Sequence, residues 1–248
     1  MTSSQPRGAV VQADQVPAET SAGGAIVRTL LDTGGGGPGL VRRRVDMPSR
    51  TGYSGTAGQA GEMWFVIRGT GQLEVAGQPG PQLRPDRAIW VPPGSGYQVL
   101  AEEANDLRLD TVALPEGGAS EAATAEQASR PLQDRDFADC EIEMTGDRQF
   151  RVLFGPGKGC AVATQFVGEI PPGRAPEHSH PYDEVVLILG GDGTAHIGGA
   201  ETPLSPGTCL HLPPGLPHCL ENTGSEMLRV LGVFHPADSP ASKLPAGT

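Results

Sequence analysis

The chain contains an internal repeat that covers most of its length. Residues 62–71, an acidic residue followed by an apolar run and a Gly-x-Gly turn, correspond to residues 184–193. Further along, residues 89–94 correspond to residues 210–215, and both segments end in Pro-Pro-Gly. A repeat of this length indicates the duplication of one folding unit. The chain is therefore expected to fold as two similar units.

Each unit has the pattern of a β structure. Short apolar runs alternate with turns rich in Gly (36) and Pro (24), and no long stretch has the 3.6-residue period of an amphipathic helix. This pattern predicts an all-β fold, with each unit a barrel or sandwich. The predicted units are residues 24–116 and 136–238, joined by a linker at 117–135. Residues 1–23 and 239–248 are predicted tails that are ordered only if they dock.

Composition excludes several classes of partner. The formal net charge is −11, and basic residues do not cluster, so neither nucleic acid nor an anionic membrane is an expected partner. No apolar run reaches the roughly 18 residues that a membrane span needs. The N-terminus lacks the pattern of a signal peptide, so a cytoplasmic protein is expected. Four cysteines without a Cys-x-x-Cys pair are predicted to be free thiols: Cys140, Cys160, Cys209 and Cys219.

Four residues of the second unit have the spacing of metal ligands. His178 and His180 lie two apart, so on a strand both side chains face the same side. Glu184 follows after a turn, and its even spacing of four from His180 would place it on the same side. His218 follows Pro-Pro-Gly on a distant strand. Three imidazoles and one carboxylate suit a divalent transition metal: Fe(II), which is favoured here, or Mn(II), Ni(II), Cu(II) or Zn(II). The lack of a thiolate argues against structural zinc.

These motifs carry a family resemblance. Residues 173–191 and 207–222 resemble the two characteristic motifs of the cupin superfamily, and the duplication resembles a bicupin. The first motif departs once, because Gly173 stands one residue closer to His178 than in the usual pattern. The resemblance implies two tandem antiparallel cupin (jelly-roll) barrels and an ability to form a homodimer. It also implies four metal ligands: His178, His180, Glu184 and His218.

The first unit departs much further from the motifs. Thr56 and Gly58 stand where the paired histidines belong, and Tyr97 stands where His218 stands in the second unit. Only Glu62 matches. One carboxylate without an imidazole holds a transition metal poorly, so the N-terminal barrel is predicted to be metal-free.

Three further residues are candidate catalytic groups: His196, His211 and Tyr182. The two histidines lie on predicted strands and face either the cavity or solvent, while Tyr182 lies in the turn between two ligands. Weaker candidates for a substrate contact are Gln165, Glu169 and Arg151. The remaining interior of the second unit is apolar, which suits a small, partly apolar substrate.

Three functions remain open at this stage. The favoured one is an oxygenase or dioxygenase that acts on a small enolic, phenolic or carboxylate substrate. The alternative is a non-redox isomerase, cyclase or decarboxylase in which the metal is a Lewis acid, and this chemistry needs His196, His211 or Tyr182 inside the cavity as a proton shuttle. The third is a cupin that binds a small ligand without catalysis.

Overall fold

The computed structural model describes residues 8–35, 39–103, 105–117 and 130–244. Within these ranges the regular structure is almost entirely β, with single 3₁₀ turns at Ala13–Gln15 and Phe137–Asp139. The first half contains β1 (Ala9–Gln12), β2 (Glu19–Thr20), β3 (Ile26–Asp32), β4 (Val41–Met47), β5 (Gly52–Thr56), β6 (Glu62–Arg68), β7 (Gly71–Val75), β8 (Gln78–Pro79), β9 (Arg87–Val91), β10 (Gly96–Ala101) and β11 (Leu107–Ala113). The second half contains β12 (Gln133–Asp136), β13 (Glu143–Thr145), β14 (Arg148–Phe154), β15 (Thr164–Ile170), β16 (Gly173–Arg174), β17 (Asp183–Gly190), β18 (Gly193–Ile197), β19 (Ala200–Leu204), β20 (Thr208–Leu212), β21 (His218–Asn222) and β22 (Leu228–His235).

Each half is a barrel made of a seven-stranded sheet and a four-stranded sheet. In the N-terminal barrel the strand orders are β12-β9-β6-β11-β4-β3-β2 and β5-β10-β7-β8. In the C-terminal barrel they are β1-β20-β17-β22-β15-β14-β13 and β16-β21-β18-β19. The matching orders β9-β6-β11-β4 and β20-β17-β22-β15 reproduce the sequence repeat. The predicted all-β fold of two tandem antiparallel barrels is confirmed.

The two barrels exchange edge strands. β1, from the N-terminal tail, pairs with β20 of the C-terminal barrel and places Ala9 opposite His211. β12, from the predicted linker, pairs with β9 of the N-terminal barrel and places Gln133 opposite Trp90. Each of these strands therefore completes a sheet from outside the predicted unit. The unit boundaries stay a prediction, and residues 118–129 of the linker lie outside the described ranges.

The two seven-stranded sheets pack against each other through one apolar core. On β17 the side chains alternate, so that Val185 and Leu187 join this shared core while Val186 and Ile188 face the interior of the C-terminal barrel. The shared core contains Leu31, Met63, Phe65, Trp90 and Val112 from the first half and Leu153, Phe154, Val167, Val185, Leu187, Leu231 and Val233 from the second. The N-terminal barrel therefore forms the rear support of β17, the strand that carries Glu184.

A buried ion pair of the N-terminal barrel lies at this interface. Arg42 of β4 and Asp110 of β11 are both fully buried, and the guanidinium donates to both carboxylate oxygens at 2.8 and 2.9 Å. The same guanidinium also donates to Val185 O at 2.8 Å and to Leu231 O at 3.1 Å. One side chain of the N-terminal barrel thus fixes the backbone of two strands in the C-terminal barrel.

The cysteines are free thiols, as predicted. Cys219 lies opposite His196 in the register of β18 and β21. It therefore faces the side away from its neighbour His218, because adjacent strand residues point to opposite faces. In the described ranges, no helix is long and apolar enough to cross a membrane.

Candidate metal centre

Three histidine rings converge in the C-terminal barrel. One ring nitrogen from each of His178, His180 and His218 lies within 4.8 Å of the others. The backbone holds two of them together, because His178 N–H donates to His218 O at 3.0 Å and His218 N–H donates to His178 O at 2.8 Å. The ring centroids of His178 and His180 are 4.8 Å apart, since residues two apart face the same side. The cluster therefore joins two segments that are distant in the sequence.

Each of the three rings is oriented by a backbone carbonyl. The contacts are His178 Nδ1 to Pro176 O at 3.0 Å, His180 Nδ1 to Ser242 O at 2.6 Å and His218 Nδ1 to Leu216 O at 2.8 Å. A carbonyl oxygen only accepts, so each Nδ1 carries the hydrogen and each Nε2 keeps its lone pair. This is the tautomer of a histidine that binds metal through Nε2 and is oriented by a second hydrogen bond.

Burial keeps these rings neutral. It lowers the pKa of His180 to about 4 and that of His218 to about 3, and it also lowers the pKa of His178. The neighbouring imidazoles act in the same direction at His180 and His218, because a second positive charge nearby would repel the first. At neutral pH the three Nε2 lone pairs are therefore available to a cation.

Glu184, the fourth predicted ligand, faces the same cavity from β17. Its Oε2 lies 3.8 Å from His180 Nε2, beside the three rings. Burial raises its pKa to about 8, while the positive charge of Arg42 acts in the opposite direction. A divalent cation would favour the charged form of this buried carboxyl. The donor set thus fits a transition-metal site, and the assignment of the four ligands stays a prediction.

The four side chains line one wall of a cavity of about 100 Å³ inside the barrel. This volume corresponds to roughly three water molecules at liquid density, so the cavity suits a small substrate. The rest of the lining is mainly apolar: Phe150, Phe166, Ile170, Val186, Leu212, Leu220 and Val230, with Pro240 from the C-terminal tail. An apolar wall limits the number of waters that compete for the polar groups.

Sequence reasoning missed one cation in this wall, Arg148. It lies on β14, and its side chain shares the inward face with Phe150, two residues further on. Arg148 Nη2 donates to Leu220 O at 3.3 Å. The alternation of Arg148 and Phe150 along this strand is a usable signal. Without a known register, however, that strand gave no reason to place the arginine beside the histidines.

The C-terminal tail contributes to the site as well. Ser242 O orients His180, and Leu244 N–H donates to Ser179 O at 2.9 Å. Within the tail, Ser242 Oγ donates to an oxygen of Asp238 at 2.8 Å. The predicted tail is therefore docked from residue 239 to residue 244, and it closes one side of the metal-site region.

The sequence left both strand faces open for His196 and His211, and the structure places the two side chains outside the cavity. His196 Nε2 is 2.8 Å from Glu221 Oε2, and His211 Nε2 is 2.7 Å from Asp183 Oδ1. The reason is strand alternation: Leu210 and Leu212 belong to the barrel interior, so His211 between them faces the other way. Neither histidine lines the cavity, which argues against a catalytic role for either.

Tyr182 is buried behind a metal-ligand candidate and does not line the cavity. Its ring stacks on His180 and on Phe234, with centroids 4.7 and 3.9 Å apart. The hydroxyl lies 3.1 Å from His180 Nδ1 and donates to Ser239 O at 3.3 Å. Burial raises the pKa of Tyr182 above its ordinary value. Through these contacts Tyr182 supports the ring of His180. It does not take the proton-shuttle role that its position between His180 and Glu184 had suggested.

The weaker sequence candidates also lie away from the cavity. Gln165 Nε2 donates to Trp64 O in the N-terminal barrel at 3.5 Å. Glu169 accepts from Gln149 at 2.6 Å. The guanidinium of Arg151 donates to backbone carbonyls, with Cys140 O at 2.8 Å. All three therefore serve the packing around the barrel.

The matching region of the N-terminal barrel is filled by aromatic rings. Glu62 accepts from the Trp64 indole at 2.7 Å, and the Trp64 ring meets the Tyr97 ring edge-on at 4.7 Å. Gly55 allows this packing, since a Cβ there would lie 2.5 Å from the Tyr97 hydroxyl. Glu62 is thus a single carboxylate among aromatic rings, and the metal-free N-terminal barrel stays a prediction.

Comparisons with known proteins agree with this architecture. Residues 166–234 match the family model described as Cupin domain. This segment includes the four candidate ligands. A search of curated protein sequences finds no match.

Solved structures resemble the whole chain in fold. The protein Ylba from E. coli, of the family DUF861, superposes with a TM-score of 0.74 at 15% identity, over 94% of this chain and 92% of that one. A putative glyoxylate-induced protein from Pseudomonas aeruginosa gives 0.76 at 14% identity, over 97% and 92%. Oxalate decarboxylase OxdC from Bacillus subtilis gives 0.71 at 12% identity, over 96% and 79%. The domain match thus covers most of the C-terminal barrel, and the chain as a whole shares the two-barrel fold of these structures.

Proposed function

We propose that the C-terminal barrel is a mononuclear metal-dependent enzyme of the oxygenase type. The ligands would be His178, His180, Glu184 and His218, and the metal Fe(II) or another divalent transition metal. The substrate would be a small molecule with an enolic, phenolic or carboxylate oxygen. The N-terminal barrel would be a metal-free support.

One observation carries this proposal: three neutral imidazoles, each with Nδ1 bonded to a carbonyl, turn their free nitrogens toward each other. Three neutral imidazoles with a free nitrogen at one end of a cavity form a donor set that a single divalent cation can share. Histidine and carboxylate donors without a thiolate are typical of sites that keep a coordination position for substrate.

The residues around the cluster have separate tasks. The carbonyls bonded to Nδ1 keep the hydrogen on that nitrogen of each histidine ring. The stacked ring of Tyr182 fixes the plane of His180. Glu184 brings one negative charge to three neutral rings, so a bound divalent cation keeps a net charge of about +1 and attracts an anionic oxygen. When bound, the metal supplies Lewis acidity and, if it is Fe(II), redox chemistry. The apolar wall excludes bulk water from the substrate.

The non-redox alternative receives less support. An isomerase, cyclase or decarboxylase needs a side chain that moves a proton at the substrate. His196, His211 and Tyr182 were the candidates, and all three lie outside the cavity wall. Among the residues that line the cavity in the described part of the chain, the titratable side chains are the ligand candidates and Arg148.

The test begins with metal analysis of protein purified without chelator. The Fe(II)-loaded protein is then incubated aerobically with small enols, catechols and 2-oxo acids in an oxygen electrode. We expect oxygen consumption with one substrate class and its loss in His218→Ala. The matched control is His196→Ala, which removes a histidine of the same sheet outside the cavity and should keep both metal and activity.

The outcomes separate the three functions. Oxygen consumption that depends on His218 supports the proposal. Substrate conversion without oxygen consumption would replace it with the non-redox alternative. Tight binding with no conversion of any substrate would leave a ligand-binding protein, and a metal content equal in wild type and His218→Ala would refute the metal site itself.

A further inference from the structure

Arg148 is a cation inside the cavity that no ligand assignment uses. Its side chain lines the same space as His178 and His218, and its Nη2 donates to the carbonyl of Leu220. Most of the other side chains that line this space are apolar. The half-buried arginine therefore places a fixed positive charge at the wall of a small, largely apolar cavity.

Arg148 differs from Arg42 and Arg87 in its partners. Arg42 and Arg87 each have a carboxylate within 3.0 Å of the guanidinium. In the part of the chain that the structure describes, no carboxylate lies within ion-pair distance of Arg148, and its hydrogen bond goes to one neutral carbonyl. A guanidinium has five N–H donors, so most of them remain for a ligand.

Burial acts on Arg148 as expected for a cation without a counterion. Loss of water lowers its pKa, and the nearby acidic residue Asp147 only partly opposes this effect. Arginine nevertheless stays protonated in proteins, so the charge is permanent. A carboxylate is the ligand that offsets such a cost best, because its two oxygens match two parallel N–H donors.

We propose that Arg148 anchors the carboxylate of the substrate, and that the substrate is therefore a small acid whose second oxygen group reaches the histidine cluster. This inference rests on the proposed function, which it deepens by naming the substrate class. A cavity of about 100 Å³ allows only a few carbon atoms between the two oxygen groups. Short 2-oxo acids and their enols have this form.

The experiment measures binding separately from turnover. The probes are 2-oxobutyrate and its methyl ester, and the method is titration calorimetry on chelated, metal-free protein, where no metal can bind the carboxylate. Wild-type protein should bind the acid about 10- to 100-fold more tightly than the ester, the range expected for hydrogen bonds to a charged group. Arg148→Gln should reduce the affinity for the acid by the same factor and leave that for the ester unchanged.

Two further variants sharpen the result. Arg148→Lys keeps the charge but loses the planar fork, so it should bind the acid with intermediate affinity. The substitution Arg174→Gln removes an exposed cation on β16, outside the cavity. This control variant should bind the acid with the affinity of the wild-type protein. Thermal unfolding of each variant checks that the fold is kept, and the comparison of acid with ester in wild-type protein needs no variant at all.

Failure of this inference can be told from failure of the proposed function. If wild-type protein binds neither probe, or binds acid and ester equally, or if Arg148→Gln keeps the affinity for the acid, the anchor is refuted. If acid binding depends on Arg148 but the Fe(II)-loaded protein consumes no oxygen with any acid, the anchor stands and the oxygenase proposal fails. Full oxygenase activity of Arg148→Gln on a carboxylic acid substrate would refute the anchor alone.

Discussion

The buried pair between Arg42 and Asp110 offers a quantitative test of how the two barrels are joined. Both side chains are fully buried, and the guanidinium also bonds two strand carbonyls of the C-terminal barrel. Removing one partner leaves a buried charge without compensation, which costs ~3–5 kcal/mol. The variants Arg42→Met and Asp110→Leu should each lose stability by this amount. For a chain of this size the loss corresponds to a fall in Tm of roughly 6–20 °C.

The double variant distinguishes a coupled pair from two independent losses. With both charges replaced by apolar groups, no unpaired ion remains, so the double variant should be more stable than the sum of the single losses by about 2–3 kcal/mol. Equilibrium unfolding in urea, followed by tryptophan fluorescence, measures all four proteins. Single losses below about 1 kcal/mol, or losses that add within about 0.5 kcal/mol, would show that the pair is hydrated or uncoupled.

Three further predictions concern the C-terminal barrel and its candidate metal site. His218→Ala should abolish metal retention and Tyr97→Phe should leave it intact, as measured by metal analysis; metal loss in the tyrosine variant would overturn the single-site assignment. Gly232→Ala places a Cβ 2.1 Å from Phe166 Cε1 and must push that ring aside, so it should cost about 1–3 kcal/mol and reduce ligand binding. An unchanged unfolding temperature would show that the backbone of the strand shifts and the Phe166 ring keeps its place. Burial raises the pKa of Glu184 to about 8 from near 4.5. The folded metal-free protein then keeps a proton that the unfolded chain releases, and its stability should fall as pH rises from about 4.5 to 8. Glu184→Gln should remove this fall in urea titrations at several pH values.

The ligand cluster could be predicted because its signal is local. Two histidines at a spacing of two share a strand face, and Pro-Pro-Gly before His218 marks the start of the returning strand. The same alternation, applied to Leu210 and Leu212, would also have placed His211 on the outer face. Both faces stayed open for His211 because its own polarity suits either one, and its leucine neighbours decide for the outer face.

Other features depend on contacts between distant segments, which the sequence does not encode in a readable form. Arg148 reaches the cavity because β14 curves into the barrel wall beside β15, a matter of register. Ser242 orients His180 through a carbonyl, and every residue type has one. The exchange of β1 and β12 likewise rests on backbone pairing with few side-chain requirements. Such contacts leave almost no pattern in a single sequence.

The exchanged strands have a consequence for the order of folding. During synthesis β1 leaves the ribosome about 200 residues before its partner β20. The N-terminal barrel, by contrast, can close as soon as β12 has been made. The pairing of β1 with the C-terminal barrel should therefore follow the closure of the N-terminal barrel. A bulky fusion at the N-terminus would delay that step, while one at the C-terminus would leave it free.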